Sequence, residues 1–161
     1  MIKGLHHNAY RCRDSAETRA FYEDFLGLPL AHALEIRVTR TGRKTRVLHT
    51  FFQMDDGSFL AFFDDPGTPF EFKEQRDFDL HIALSVAPEH LEEMARKGRA
   101  EGREVRGPID HGFIRSIYFR DPNGYVIELT TPTGRHGEPI DPQALLAGWT
   151  AEKARAARPE P

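Results

Sequence analysis

Three residues combine the types and spacing that metal chemistry asks for: His7 in LHHNAYRC (5–12), His81 in LHIALSV (80–86) and Glu128 in YVIELT (125–130). Two imidazoles and a carboxylate hold a divalent ion and leave positions open for substrate or oxygen, a set suited to Fe(II), Mn(II), Zn(II) or Ni(II). Each residue alone has a plainer reading. A strand histidine is commonly a hydrogen-bonded core residue, and Glu128 could pair with Arg11 or Arg115. Their placement in a repeat favours the metal. His81 stands 74 positions after His7, and the same offset carries Ala9 onto Ala83. An offset of 67 lays MDDGSFLAFFD (54–64) on DPNGYVIELTT (121–131), with Gly57 on Gly124 and Ala61 on Glu128.

The elements that must position these residues recur in the same order. Residues 3–12 alternate as a strand, and RDSAETRAFYEDFLG (13–27) follows as a helix, with Asp14 and Glu17 as a capping box and Gly27 as its stop. Strands are predicted over 28–38, 46–54 and 58–64, separated by the turns TRTGRK and DDG. A breaker-rich stretch (65–77) leads to a strand over 78–86 and a helix in APEHLEEMARKGRAEG (87–102), with Leu91, Met94, Ala95 and Gly98 on one face. Strands in REVRG, FIRSIYF and YVIELT complete the second unit. The expected fold is α+β: two βαβββ units, 3–64 and 78–131, form one domain over 1–131, their sheets paired into an open barrel around a metal cleft. The tail 132–161 carries one helix, 142–156, with Leu145, Leu146 and Trp149 on a face to pack on the barrel or a second subunit; His136 lies in a Gly-flanked, exposed loop.

Strand alternation assigns the polar residues to faces. Leu80, Ile82, Leu84 and Val86 lie against a helix, so His81 points into the sheet's concave side. Tyr10 and Cys12 likewise lie under the first helix, which turns His7, Ala9 and Arg11 inward and leaves His6 on the packed face or the strand's frayed start, with a structural role. Glu128 is an acid in an otherwise apolar strand, and burying it unpaired costs several kcal/mol, so a partner is expected.

Composition excludes other classes. The net charge is −3 with mixed signs, and the basic loop TRTGRKTR (39–46) is a solvated hairpin tip, so nucleic acid is not the expected partner. No apolar run is long enough to span a bilayer and the start lacks a secretory pattern, so a cytoplasmic location without membrane association is expected. The single Cys12 forms no internal disulfide and reads as a buried thiol.

His7 followed by RDSAETRAFYEDFLGL, the strand LHIALSV and the closing SIYFRDPNGYVIEL resemble the vicinal oxygen chelate superfamily, which includes glyoxalase I, fosfomycin-resistance thiol transferases, bleomycin-binding proteins and type I extradiol dioxygenases. The resemblance covers nearly all of 3–131 and implies metal ligands at His7, His81 and Glu128. Ala61 stands where many members carry a second acid, which implies a three-ligand site. DHGFIRSIYFRDPNGYVIE places His111 and Tyr118 ahead of Glu128, as in the extradiol enzymes, where such groups line an Fe(II) pocket and relay protons. Unlike the larger extradiol enzymes, the chain has no histidine shortly before His81, and two units rather than four. His49 could enter the pocket from the other half, with Phe51, Arg11 and Ser116 as further lining.

The leading expectation is a dioxygenase, Fe(II)-dependent and in a homodimer, that cleaves a catechol-like ring with O2. Two alternatives are a lyase, isomerase or thiol transferase using another divalent metal on a vicinal-oxygen substrate, and a metal-free drug-binding resistance protein. Whether the units pair within a chain or swap across a dimer does not follow from spacing.

Overall fold

The computed structural model describes residues 1–135 and 140–156, so His136 lies outside the described residues. Each half forms one four-stranded mixed sheet. The first contains β1 (His7–Cys12), β2 (Leu30–Val38), β3 (Lys44–Gln53) and β4 (Phe59–Asp64) in the order β1-β4-β3-β2; the second contains β5 (Ile82–Ser85), β6 (Val105–Asp110), β7 (Ile114–Arg120) and β8 (Val126–Pro132) in the order β5-β8-β7-β6. In both, the first strand runs parallel to the last and the rest is antiparallel. The repeat is thus a repeat of topology.

The first helix has two parts. α1 (Ser15–Arg19) starts where the Asp14 side chain accepts the Glu17 N–H, then widens into a π-helical turn over Ala20–Phe25. The wider winding buries Phe21, Tyr22 and Phe25 together, which the sequence reading of a plain helix does not foresee. α2 (Pro88–Ala100) buries the expected Leu91, Met94, Ala95 and Gly98. Gly98 is needed for contact, because a Cβ there would stand 2.7 Å from a Phe119 ring carbon and 2.8 Å from Val105.

The two halves share one core. Phe25 meets Phe119 edge-on at 5.2 Å, and the Tyr10 and Tyr125 rings lie 5.0 Å apart. Hydrogen bonds cross the same seam: Tyr22 donates to Asp121 (2.9 Å), Tyr125 to the Arg11 carbonyl (2.8 Å), and the Arg13 N–H to Asn123 (2.8 Å). The seam joins the packed, helix-bearing sides of the sheets. Consequently the sheets do not close on each other: among the described residues no strand pair links them, and the expected barrel is not closed within the chain. His7 and Ala9 on the first concave face are exposed.

Two further expectations change. The strand over 78–86 begins only at Ile82, since 77–79 form a turn that places His81 just ahead of β5. α3 (Pro142–Ala156) forms where predicted, but among the described residues none of its side chains is buried, and Leu145, Leu146 and Trp149 are exposed. No described helix is long and apolar enough to cross a membrane.

Cys12 is buried, and loss of solvation pushes its thiol up to about 11. Two units above its ordinary 9.0 leave about 100-fold less thiolate at neutral pH. Alkylation by iodoacetamide is expected to be at least ~100-fold slower in native protein than in urea, measured by mass spectrometry; comparable rates would contradict the buried placement.

Candidate metal centre

Glu128 sits in the middle of the second sheet, between Ala83 on β5 and Tyr118 on β7. Ala83 is small enough to leave the carboxylate room, yet Glu128 is only 4% exposed. Its ion-pair partner is the His81 imidazole, Nε2 to Oε2 at 3.1 Å, while the two arginines go elsewhere, Arg115 to Glu92 (2.6 Å) and Arg11 to the carbonyls of Asp65 and Thr68 (3.2 and 3.0 Å).

The tautomer of His81 follows from its other nitrogen. Nδ1 lies 2.8 Å from the Asp77 carbonyl, which can only accept, so Nδ1 carries a hydrogen. Nε2 therefore faces Glu128 with a lone pair unless it too is protonated. A lone pair and a carboxylate oxygen at 3.1 Å need a cation between them: a shared proton or a shared metal. The pair passes the chemical test for two ligands of one divalent ion.

Tyr118 and His111 extend this cluster. The Tyr118 hydroxyl is 3.0 Å from His111 Nε2, and the Arg106 guanidinium lies 4.7 Å over its ring. Burial, and then the Glu128 charge, raise the Tyr118 phenol above its usual value of 10.0, so it acts as a hydrogen-bond donor rather than a phenolate. Ser116 is fully buried and donates to Thr130 at 3.1 Å.

The equivalent place on the first sheet has no acid. Ala61 lies between Ala9 and Phe51, as Glu128 lies between Ala83 and Tyr118. His7 heads this face with its ring 5.6 Å from Phe51 and 6.4 Å from His49. His49 is 7% exposed and stacks on Phe63 at 3.8 Å. Its Nδ1 lies 3.0 Å from the Phe62 carbonyl, which leaves Nε2 as the acceptor.

The chain thus brings the expected site residues together in two groups, His81, Glu128, Tyr118 and His111 on one sheet, and His7, His49, Phe51 and Arg11 on the other. Among the described residues no group of three or more His, Cys, Asp or Glu stands close enough to hold a metal within one chain. Two contributors are absent from the sequence reading. The Asp77 carbonyl is a main-chain group of a turn, with no sequence signal. Arg106 is paired with Tyr118 across β6 and β7, and alternation of REVRG would have placed it there. A cleft of about 640 Å³ between the halves, lined by Leu26, Met54, Leu84, His90 and neighbours, contains none of the expected site residues.

Residues 4–129 match the model of the Glyoxalase/Bleomycin resistance protein/Dioxygenase superfamily. Comparison with curated proteins gives no match. Among solved structures, the chain is similar to a glyoxalase/bleomycin resistance protein/dioxygenase domain from Frankia sp. EAN1pec, with a TM-score of 0.67, 17% identity, and 84% of this chain and 96% of that one covered. It is also similar to a glyoxalase/dioxygenase from Nostoc punctiforme (0.61, 24%, 81% and 91%). The fosfomycin resistance protein FosX from Listeria monocytogenes gives 0.62 at 25% identity, covering 83% and 97%, and another crystal structure of FosX holds Mn(II) and sulfate.

Proposed function

Because the chain belongs to the glyoxalase/bleomycin resistance protein/dioxygenase superfamily, we propose that it is a divalent-metal enzyme of extradiol type, opening a catechol-like ring with O2. His7, His81 and Glu128 are its ligands, Fe(II) its metal, and a homodimer its working form. The observation that carries the reaction class is the Tyr118–His111 hydrogen bond beside Glu128.

Two copies reconcile the separated groups. Each open concave face meets its complement on a second chain, so that His7 of one protomer joins the partner's His81 and the partner's Glu128. Fe(II) held by these residues would supply Lewis acidity toward the catechol oxygens and a redox centre for O2. The protein's own groups do the rest. Tyr118 donates a hydrogen bond toward substrate oxygen and exchanges protons with His111, while Phe51 and the His49 ring stacked on Phe63 wall the aromatic ring. Arg11, tied back to the loop after β4, borders that wall.

Anaerobic Fe(II) loading followed by oxygen uptake over a catechol panel tests the reading, with a yellow ring-fission product expected. Tyr118→Phe should keep the metal and lower turnover by about 10²–10⁴-fold. Iron-loaded protein that consumes no oxygen with any catechol would refute ring cleavage. The likeness to FosX favours a second reading, in which the same ligands hold Mn(II) and polarise a small oxygen-bearing substrate without O2. Tyr118 with His111 is what sets the first reading ahead, since ring cleavage uses a donor and relay that this chemistry can do without.

A further inference from the structure

His6 and His7 have opposite fates in strand register, yet their rings meet: Nδ1 of one lies 2.8 Å from Nδ1 of the other, with centroids 5.0 Å apart and planes 78° apart. Neither imidazole can make this contact with two lone pairs or with two hydrogens, so exactly one of the nitrogens carries the shared hydrogen. If His6 donates, the neutral His7 ring keeps its hydrogen on Nε2 and has no free lone pair. If His7 donates, its Nε2 lone pair is free. His81 needs no such choice, because the Asp77 carbonyl can only accept; His49 is fixed in the same way by the Phe62 carbonyl. Of these three rings, only His7 has its tautomer set by a second imidazole.

His6 is held for this contact. Its carbonyl accepts the Phe59 N–H at 3.0 Å, which anchors the residue at the head of the β1–β4 ladder, and its ring lies 5.8 Å from the Phe59 ring. The β1 register then directs the next residue, His7, to the concave face. We propose that His6 is a positioning residue for the metal centre: it accepts the Nδ1 hydrogen of His7 and thereby presents the His7 Nε2 lone pair as a ligand. The inference rests on the metal reading above but not on the reaction class, and it replaces the purely structural role expected for His6. Groups that orient a metal-bound histidine through its second nitrogen are typically worth 10–100-fold in affinity.

The test uses Co(II) and Mn(II) affinities of the full chain, measured by competition with a metallochromic chelator. His6→Phe keeps an aromatic ring beside Phe59 but cannot accept, and should bind metal about 10–100-fold more weakly. His6→Asn restores an acceptor, and should recover affinity to within about threefold of wild type. ¹⁵N NMR of the imidazoles gives a second readout: His7 should be the Nδ1–H tautomer with its Nε2 free in the wild-type and His6→Asn proteins. Wild-type affinity in His6→Phe, or equal weakness in both variants, would overturn the role of His6. A wild-type protein that binds neither metal, or a His7→Ala variant that binds as tightly as wild type, would instead remove the metal reading itself.

Discussion

Glu128→Gln protein should fold and, with the proposed ligand set broken, fail to bind divalent metal. The substitution is nearly isosteric, and it removes a charge that is 4% exposed with one imidazole beside it, so the sheet has little reason to open. An amide oxygen is a far poorer ligand than a carboxylate. Because an outer partner alone is worth 10–100-fold, losing the proposed Glu128 ligand should weaken Fe(II) or Mn(II) binding by more than ~100-fold. Metal analysis of the purified variant checks the first point and its melting curve the second. The proposed pairing of two chains makes the expected result more specific. Co-refolding Glu128→Gln with His7→Ala chains pairs an intact His7 with an intact Glu128 at one of the two sites of each mixed dimer, and metal content should return to half the wild-type value there. No recovery would exclude a site shared between chains, and unchanged binding by Glu128→Gln alone would refute the ligand set.

Asp121→Ala should be the most damaging single change to stability away from the site. Asp121 is 2% exposed and accepts from the Tyr22 hydroxyl (2.9 Å), the main-chain N–H groups of Asn123 and Tyr125 (2.8 Å each) and the Asn123 amide (3.0 Å). Burial raises its carboxyl above the ordinary value, while those donors pull it back. Truncation would strand several buried donors, at an expected cost of about 3–5 kcal/mol. For a chain of this length that lowers the melting temperature by roughly 6–20 °C. Since Tyr22 belongs to the first half and Asp121 to the second, both sheets should melt together in calorimetry. A loss under ~1 kcal/mol would mean that water replaces the carboxylate.

The repeat was legible because it is written in several independent signals at once. His7 and His81, Gly57 and Gly124, and Ala61 and Glu128 match at two offsets; Ala61 and Glu128 return as equivalent register positions beside Ala9 and Ala83, and Gly57 and Gly124 return as turn glycines with positive φ. The buried face of α2 could be read residue by residue, because helical period and apolar type agree there. The closing of the sheets could not be read. Alternation says which side of a strand is packed, but not which other sheet meets the open side, and here the halves join through their helix-bearing sides. The early end of the predicted strand before Ile82 had a similar cause: the turn at 77–79 is held by Arg76 with Asp79, local polar contacts that hydrophobic pattern ignores. The candidate site was half legible. Its side chains announce themselves by type, whereas the Asp77 carbonyl beside His81 Nδ1 has no letter of its own.

The alternation of β8 has a consequence for how this chain can change. Ile127 and Leu129 are buried with the helix-covered core, and Glu128 between them faces the candidate centre. Consecutive letters therefore answer to different selective pressures, one for persistence of the fold and the next for the chemistry of the candidate centre. A saturation scan along this strand should show a two-residue beat, with losses of abundance at one phase and losses of activity at the other. A scaffold with that separation can exchange one reaction for another without renegotiating its stability, which is how a single architecture comes to host chemistries that share nothing but a metal.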